Sequence, residues 1–403
     1  MDTIETAHGF FDRGAFESEL EEFWSKGEAS DEWLAQLLFV LAFGSLASGF
    51  VAKSERGKVD TTLASWLLDS TEACLRRTPF MLRPTFAIIR TLCLAVIVKQ
   101  ICGMSCHESD ACWPIVGMIV RLSMTMGLHV NSDRSSRRLW ANVAYLDMRQ
   151  SLTCGMPLLL QPDHISNLSA GSTLDVLDSD SRGEGPLERV LADSRNVLFR
   201  AIDLATRRDE IVSYDEVIDV ESRIRHHVRR PGELGGPPHF DLEARTVDIF
   251  LRQILLALTS RFALHPSSST LYPASHISSL ESALAILSHQ QTLCEVQHGA
   301  TAWFAGVFCF DFFTAAMTIC CQLVRHDSAL DMGVVAGPGG EVPRGIVVEA
   351  LKGCVELWRT EKGASVCNAR TFAIIDEILR LLDQRRSVGT LIEAGGAVPL
   401  CNP

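Results

Sequence analysis

Apolar residues recur along this chain at helical spacing and almost nowhere at strand spacing. In residues 113–127, Ile115, Ile119, Leu122 and Met126 form one row at steps of three and four, which predicts a helix with a single buried stripe. Pro114 suits the first turn of that helix, and Gly127 suits the left-handed position that ends it. Comparable patterns predict helices over residues 61–77, 86–103, 137–154, 187–207, 215–228, 240–264, 276–294, 346–361 and 370–386. The chain opens with a short extended lead into an amphipathic helix over residues 8–24, where Phe10, Phe11, Phe16, Leu20 and Phe23 oppose an acidic side. Ser30, followed by Asp31 and Glu32, reads as the N-cap of a further apolar helix over residues 33–52.

No run alternates between hairpin turns, and no fixed repeat period emerges. The expected fold is therefore all-α: one large helical domain, residues 1–403, of antiparallel packed helices with long surface loops. Stretches rich in Gly, Pro and Ser occur at residues 167–186, 230–238 and 327–345. The first is the best point of subdivision. It leaves an N-terminal half, 1–166, a flexible loop, 167–186, and a C-terminal helical half, 187–403.

Composition supports a large core, with 47% hydrophobic and 21% charged residues. The net charge of -12 argues against direct nucleic-acid binding, because gripping a polyanion requires clustered Lys and Arg. Three apolar runs, at residues 33–52, from Leu92 and at 300–324, approach the length of a membrane span. Lys99 interrupts the second, and Asp311 sits in the middle of the third, where a bilayer would charge it about 2.5–3.5 kcal/mol. Buried helices are expected instead, with no membrane contact. The N-terminus lacks a basic stretch followed by an apolar run, so no secretory signal is expected.

The thirteen cysteines are mostly scattered through apolar segments, as reduced buried thiols would be, which points to a nuclear or cytoplasmic compartment. Cys102, Cys106, His107 and Cys112 are too loosely spaced for a structural zinc site, and no metal or cofactor is expected. The glycine-rich GPGGEVPRG lacks the Lys-Ser or Lys-Thr of a phosphate loop, and neither GxSxG, HExxH nor GxGxxG occurs. No catalytic set is assigned. His226 and His227, among Arg223, Arg225, Arg229 and Arg230, read as a solvated helix end, with a phosphate or acidic-partner contact as the alternative. Trp303, Phe304, Phe308, Phe310, Phe312 and Phe313 crowd one helix and read mainly as core, with an apolar ligand cavity as the alternative.

One stretch, residues 112–157, carries a more specific pattern: Gly127, Leu128 and His129; a polar loop; Arg137, Arg138, Leu139 and Trp140; Asp147; then Gly155 and Pro157. Trp140, Ala144, Asp147 and Ser151 stand at offsets of four, seven and eleven, so they share one helix face. A buried Asp147 needs donors, for which Arg121, Arg137, Arg138 or a helix N-terminus are the candidates. The expected role is a brace fixing how two helices cross. A catalytic Asp147 is the weaker reading.

This order of features resembles the fungal-specific transcription factor domain, the middle homology region of Zn2Cys6 zinc-cluster regulators. That family shows a GLH helix end, a polar loop, an RRxWW segment, an Asp six or seven residues on, and a GxP stop. The departures here are Ala141 in place of a second aromatic, Ser135 and Ser136 where an acidic residue often stands, and Met156 between Gly and Pro. More weakly, HGFFDRGAF near the start resembles the opening of that domain, and LLALTSRFALHP from Leu255 resembles a later helix end. The resemblance implies a structural motif at Gly127, His129, Arg137, Arg138, Trp140, Asp147, Gly155 and Pro157. It also implies a transcription regulator of a fungal metabolic or secondary-metabolite gene cluster. With no cysteine before Cys74, this chain is expected to act through a DNA-binding partner, a homodimer or an apolar small-molecule ligand rather than by reading DNA itself. The alternative is an enzyme or small-molecule-binding protein of such a pathway on the same scaffold.

Overall fold

Several helix ends fall where a side chain or a left-handed glycine satisfies free backbone groups. A computed structural model describes residues 4–56, 62–101, 106–170, 185–207, 211–228, 238–295, 303–325, 344–361 and 366–395. A short helix α1 (Ile4–His8) ends at Gly9, whose φ of +60° turns the chain into α2 (Arg13–Lys26). Asp12 caps α2 by accepting from Ala15 N at 3.1 Å, and Gly27, at φ +71°, closes it. The opening thus contains a short helix and a left-handed turn where an extended lead was expected. Ser30 caps α3 (Asp31–Arg56), its Oγ accepting from Trp33 N at 3.2 Å.

The chain continues through α4 (Thr62–Arg77), α5 (Phe86–Ile101), α6 (Cys106–Thr125) and α7 (Arg134–Cys154), then a 3-10 segment (Pro162–Ala170). The second half comprises α8 (Pro186–Thr206), α9 (Tyr214–Val228), α10 (Pro238–Ala263), the single turn Ser268–Leu271 and α11 (Pro273–Glu295). A 3-10 turn (Phe304–Phe308) then leads into α12 (Cys309–Val324), followed by α13 (Arg344–Glu361) and α14 (Val366–Gly395). The described residues contain helices and no strand, so the protein is all-α. Boundaries differ most from expectation in α14, which runs to Gly395 rather than to residue 386, and in α6. α6 starts at Cys106, which puts Pro114 inside the helix, where its ring removes one backbone hydrogen bond without ending the element.

Helices adjacent in sequence pack as neighbours: α3 on α4, α5 on α6, α6 on α7, α10 on α11 and α11 on α12. Several contacts join the halves, among them Pro162–Ala170 on α8 and α1 on α10. α7 lies against α8, and α5 lies against the 3-10 turn Phe304–Phe308. One contiguous hydrophobic core, from Ala7 to Leu382, runs through both.

Among the described residues, only Phe304–Val324 has the length and composition to cross a membrane, and 56% of it is buried inside the protein. Its rings pack on one another: Trp303 on Phe304 at 6.2 Å, Phe304 on Phe308 at 5.6 Å, and Phe308 on Phe312 at 6.1 Å. Phe310 instead faces outward and Phe313 is half-buried. The loops expected at 230–238 and 327–345, the core of the 167–186 loop, and the side chains of Cys102, Cys106 and His107 fall mostly or wholly outside the described residues, as do Arg229 and Arg230. Cys112 is buried and belongs to no disulfide. His226 is exposed, and the cations near it are already matched, Arg223 to Asp219 at 3.8 Å and Arg225 to Glu221 and Glu281 at 2.9 and 2.8 Å.

Candidate functional site

Helix α7 is the element around which both halves are built. Asp133 starts it, accepting from Ser136 N at 2.9 Å, and Gly155, at φ +62°, ends it. Gly155 N donates to Leu152 O and Met156 N to Ser151 O, at 3.4 and 3.0 Å, the paired bonds of a Schellman cap. The same two bonds close α6, from Gly127 N to Met124 O at 2.9 Å and from Leu128 N to Ser123 O at 3.1 Å. Every residue from Leu139 to Ser151 is buried, so this helix is covered all round rather than along one stripe.

The face carrying Trp140, Asp147 and Ser151 packs on the turn that follows the helix. Trp140 Nε1 donates to His164 O at 2.9 Å, and Ser151 Oγ donates to Pro157 O at 3.4 Å. Between them, the Asp147 carboxylate accepts from Leu159 N at 3.2 Å and Leu160 N at 3.0 Å. Its donors are therefore backbone amides, and none of Arg121, Arg137 or Arg138 supplies them. Arg121 bends back to Gly117 O at 3.0 Å, while Arg138 lies over Gly9 with Glu5 3.8 Å away. Burial raises the Asp147 pKa to about 6, against the pull of the two amides. His129 is half-buried, its ring 6.0 Å from that of Trp140, Arg137 is half-buried, and Pro157 is exposed. The structure thus gathers Trp140, His129, Asp147, Gly155 and Pro157 around one turn and places Arg138 on the opposite side with the opening segment.

That opposite side holds residues the sequence pattern did not single out. Asn142, Tyr145 and Arg149, at offsets of three and seven, face the second half. Asn142 Nδ2 donates to His8 O at 2.6 Å, fixing the opening segment. Arg149 Nη2 donates to Asp311 at 2.5 Å and to Val307 O at 2.8 Å, and its guanidinium lies 5.1 Å from the Phe308 ring centroid. Both members of the pair are almost wholly buried, their side chains 5% and 2% exposed. Burial opposes the charge on Arg149, but Asp311 outweighs it and holds the guanidinium pKa above its usual value. The His8 ring is enclosed by Phe10, Tyr145 and Phe304 at 5.3–6.2 Å, and burial beside Arg149 lowers its pKa to about 4. A signal for this face existed. An Asp in the middle of an apolar run, at position 311, needs a buried cation as its partner.

Gly9 shows how closely the opening segment is seated. At its left-handed φ of +60°, a Cβ would stand 1.7 Å from Arg138 Nη2, so only glycine fits beneath that side chain. Glu5 completes the turn, accepting from Phe11 N at 3.0 Å.

These buried groups set a pH dependence. Burial raises Glu5 and Glu243 from 4.5 to about 7 and Asp147 from 3.8 to about 6. As pH rises, the unfolded chain releases these three protons before the folded one does, so the stability they contribute below pH 4 is lost by about pH 7. His8 acts in the opposite sense, costing stability as pH falls from 6.5 through about 4, but it is one group against three. Urea midpoints should therefore fall from pH 5 to pH 7, and the pair Glu5→Gln and Glu243→Gln should flatten the trend. A midpoint rising over that interval would contradict this account.

Among the described residues, no three His, Cys, Asp or Glu side chains converge as metal ligands. The described residues form an all-α scaffold built around α7. Residues 6–184 match the family described as the Fungal specific transcription factor domain. It is 24% identical to the Zn(2)-C6 fungal-type transcription factor pigI of Monascus ruber, over 68% of this chain and 38% of that protein. It is 22% identical to the Zn(2)-C6 fungal-type transcription factor mpsB of Macrophomina phaseolina (strain MS6), over 97% of this chain and 58% of that protein. It is also 22% identical to Transcription factor asR3 of Sarocladium schorii, over 72% of this chain and 38% of that protein. The chain spans less than two thirds of the length of each of these relatives.

Proposed function

We propose that this chain is the helical regulatory part of a nuclear transcription regulator controlling a fungal metabolic or secondary-metabolite gene cluster. The family match over residues 6–184, which includes the α7 brace, carries the reading. Named relatives that are transcription factors favour it over an enzyme. The regulatory unit extends over residues 1–403, supported by the single core shared by both halves. Gly127, His129, Arg137, Arg138, Trp140, Asp147, Gly155 and Pro157 serve this unit structurally, by ending α6 and α7 and seating the turn and the opening segment between them. The 403 residues carry a net charge of -12, which suits contact with a DNA-binding protein partner or a small ligand better than contact with phosphates. Deleting the gene should change transcripts of neighbouring genes under producing conditions, and a fluorescently tagged chain should collect in nuclei. Unaltered transcripts would sink the reading.

A further inference from the structure

A groove of about 410 Å³ lies on the outer side of α6, beside the turn that Asp147 holds. Trp113, Pro114, Met118, Leu122 and Leu159 make its apolar walls. Its size falls within the range of small-molecule sites. Gly117 forms the closest approach across it, since a Cβ there would come within 3.3 Å of Arg121 Nη1 and 3.4 Å of the Leu159 side chain.

Two features indicate what the groove accepts. Arg121 is an exposed cation on the groove lining whose one recorded side-chain bond is to Gly117 O, and no carboxylate among the described residues pairs with it. An apolar trough with an uncompensated guanidinium at its edge complements a flat apolar body bearing a carboxylate, because a planar guanidinium pairs with carboxylate oxygens through two parallel N–H bonds. The aromatic ring of Trp113 and the thioether of Met118 favour an aromatic body over an aliphatic one.

We infer that this groove binds an aromatic carboxylate, with Arg121 as its anion contact. Asp147 is a positioning residue for it: its carboxylate fixes Leu159 N, and the Leu159 side chain forms one wall. The inference deepens the ligand-responsive side of the proposed function, yet its test is made on purified protein. Failure to bind would leave the transcript experiment untouched, and unaltered transcripts would leave the binding result standing.

The experiment is calorimetric titration of the full chain with 2-naphthoate and with neutral 2-naphthamide. Saturable binding is expected, with the carboxylate about tenfold tighter than the amide. Arg121→Gln, at an exposed position, should bring naphthoate down to the amide's affinity and leave the amide unchanged. Gly117→Leu, which fills the groove, should abolish both. Absence of saturable naphthoate binding would overturn the inference, as would equal binding of the two probes regardless of Arg121→Gln. So would concentration-dependent self-association removed by Gly117→Leu, since a second copy of the chain would then occupy the groove.

Discussion

Arg149→Met should destabilise the protein by about 3–5 kcal/mol, because it leaves Asp311 as an uncompensated charge in the core. The carboxylate's recorded side-chain partner is that guanidinium, at 2.5 Å, and its own side chain is 2% exposed. Val307 O loses its donor in the same substitution. Asp311→Leu alone should cost a comparable amount, since it strands the arginine instead. Combining Arg149→Met with Asp311→Leu should restore most of the loss, because well-packed apolar residues often replace a buried ion pair without penalty. Urea unfolding of the wild type, both single variants and the double variant gives the coupling energy directly. Additive losses in the double variant would show that the pair is not the connection between α7 and α12.

That connection explains which parts of the molecule were legible in the sequence. Most helices were, because they carry apolar residues at steps of three and four, and some caps were, because Ser30, Gly127 and Gly155 have few other uses in those positions. The shared face of Trp140, Asp147 and Ser151 followed from offsets alone. What it faces did not. The donors to Asp147 are amides of a turn, and backbone groups leave no trace in a side-chain pattern. The Arg149–Asp311 pair joins residues 162 positions apart, and nothing local marks Arg149 as different from the other arginines of its helix. Asp311 was visible as an interruption in an apolar run, but the interruption identifies a need and leaves its partner open. Gly9 belongs to the same category, since its requirement arises from Arg138 packing over it.

The two faces of α7 therefore do different work. One side closes the turn over residues 155–165 and sets Leu159 in the wall of the groove, and the other ties the opening segment and α12 to the same helix. A helix held on both sides transmits a change at one to the other only by moving as a body, because covered cores shift between discrete packings rather than deform. Occupancy of the groove by a ligand would bear on α7 through Leu159 and Asp147, and from there on the contacts of Arg149.

Asp147→Ala tests the first of those faces and should destabilise the protein by about 2–4 kcal/mol, since it leaves the amides of Leu159 and Leu160 without an acceptor and each such loss costs about 1–3 kcal/mol. The loss of a carboxylate that burial already disfavours offsets part of this above pH 6. Asp147→Asn should cost much less, because its carbonyl oxygen still accepts from the turn and carries no charge to desolvate. The two variants separate the hydrogen bonds from the charge. Hydrogen exchange supplies the local readout: the amides of Leu159 and Leu160 should exchange faster in Asp147→Ala and keep most of their protection in Asp147→Asn. Wild-type melting together with retained protection of both amides in Asp147→Ala would show that the carboxylate does not hold the turn, and its burial at the centre of α7 would then require a different role.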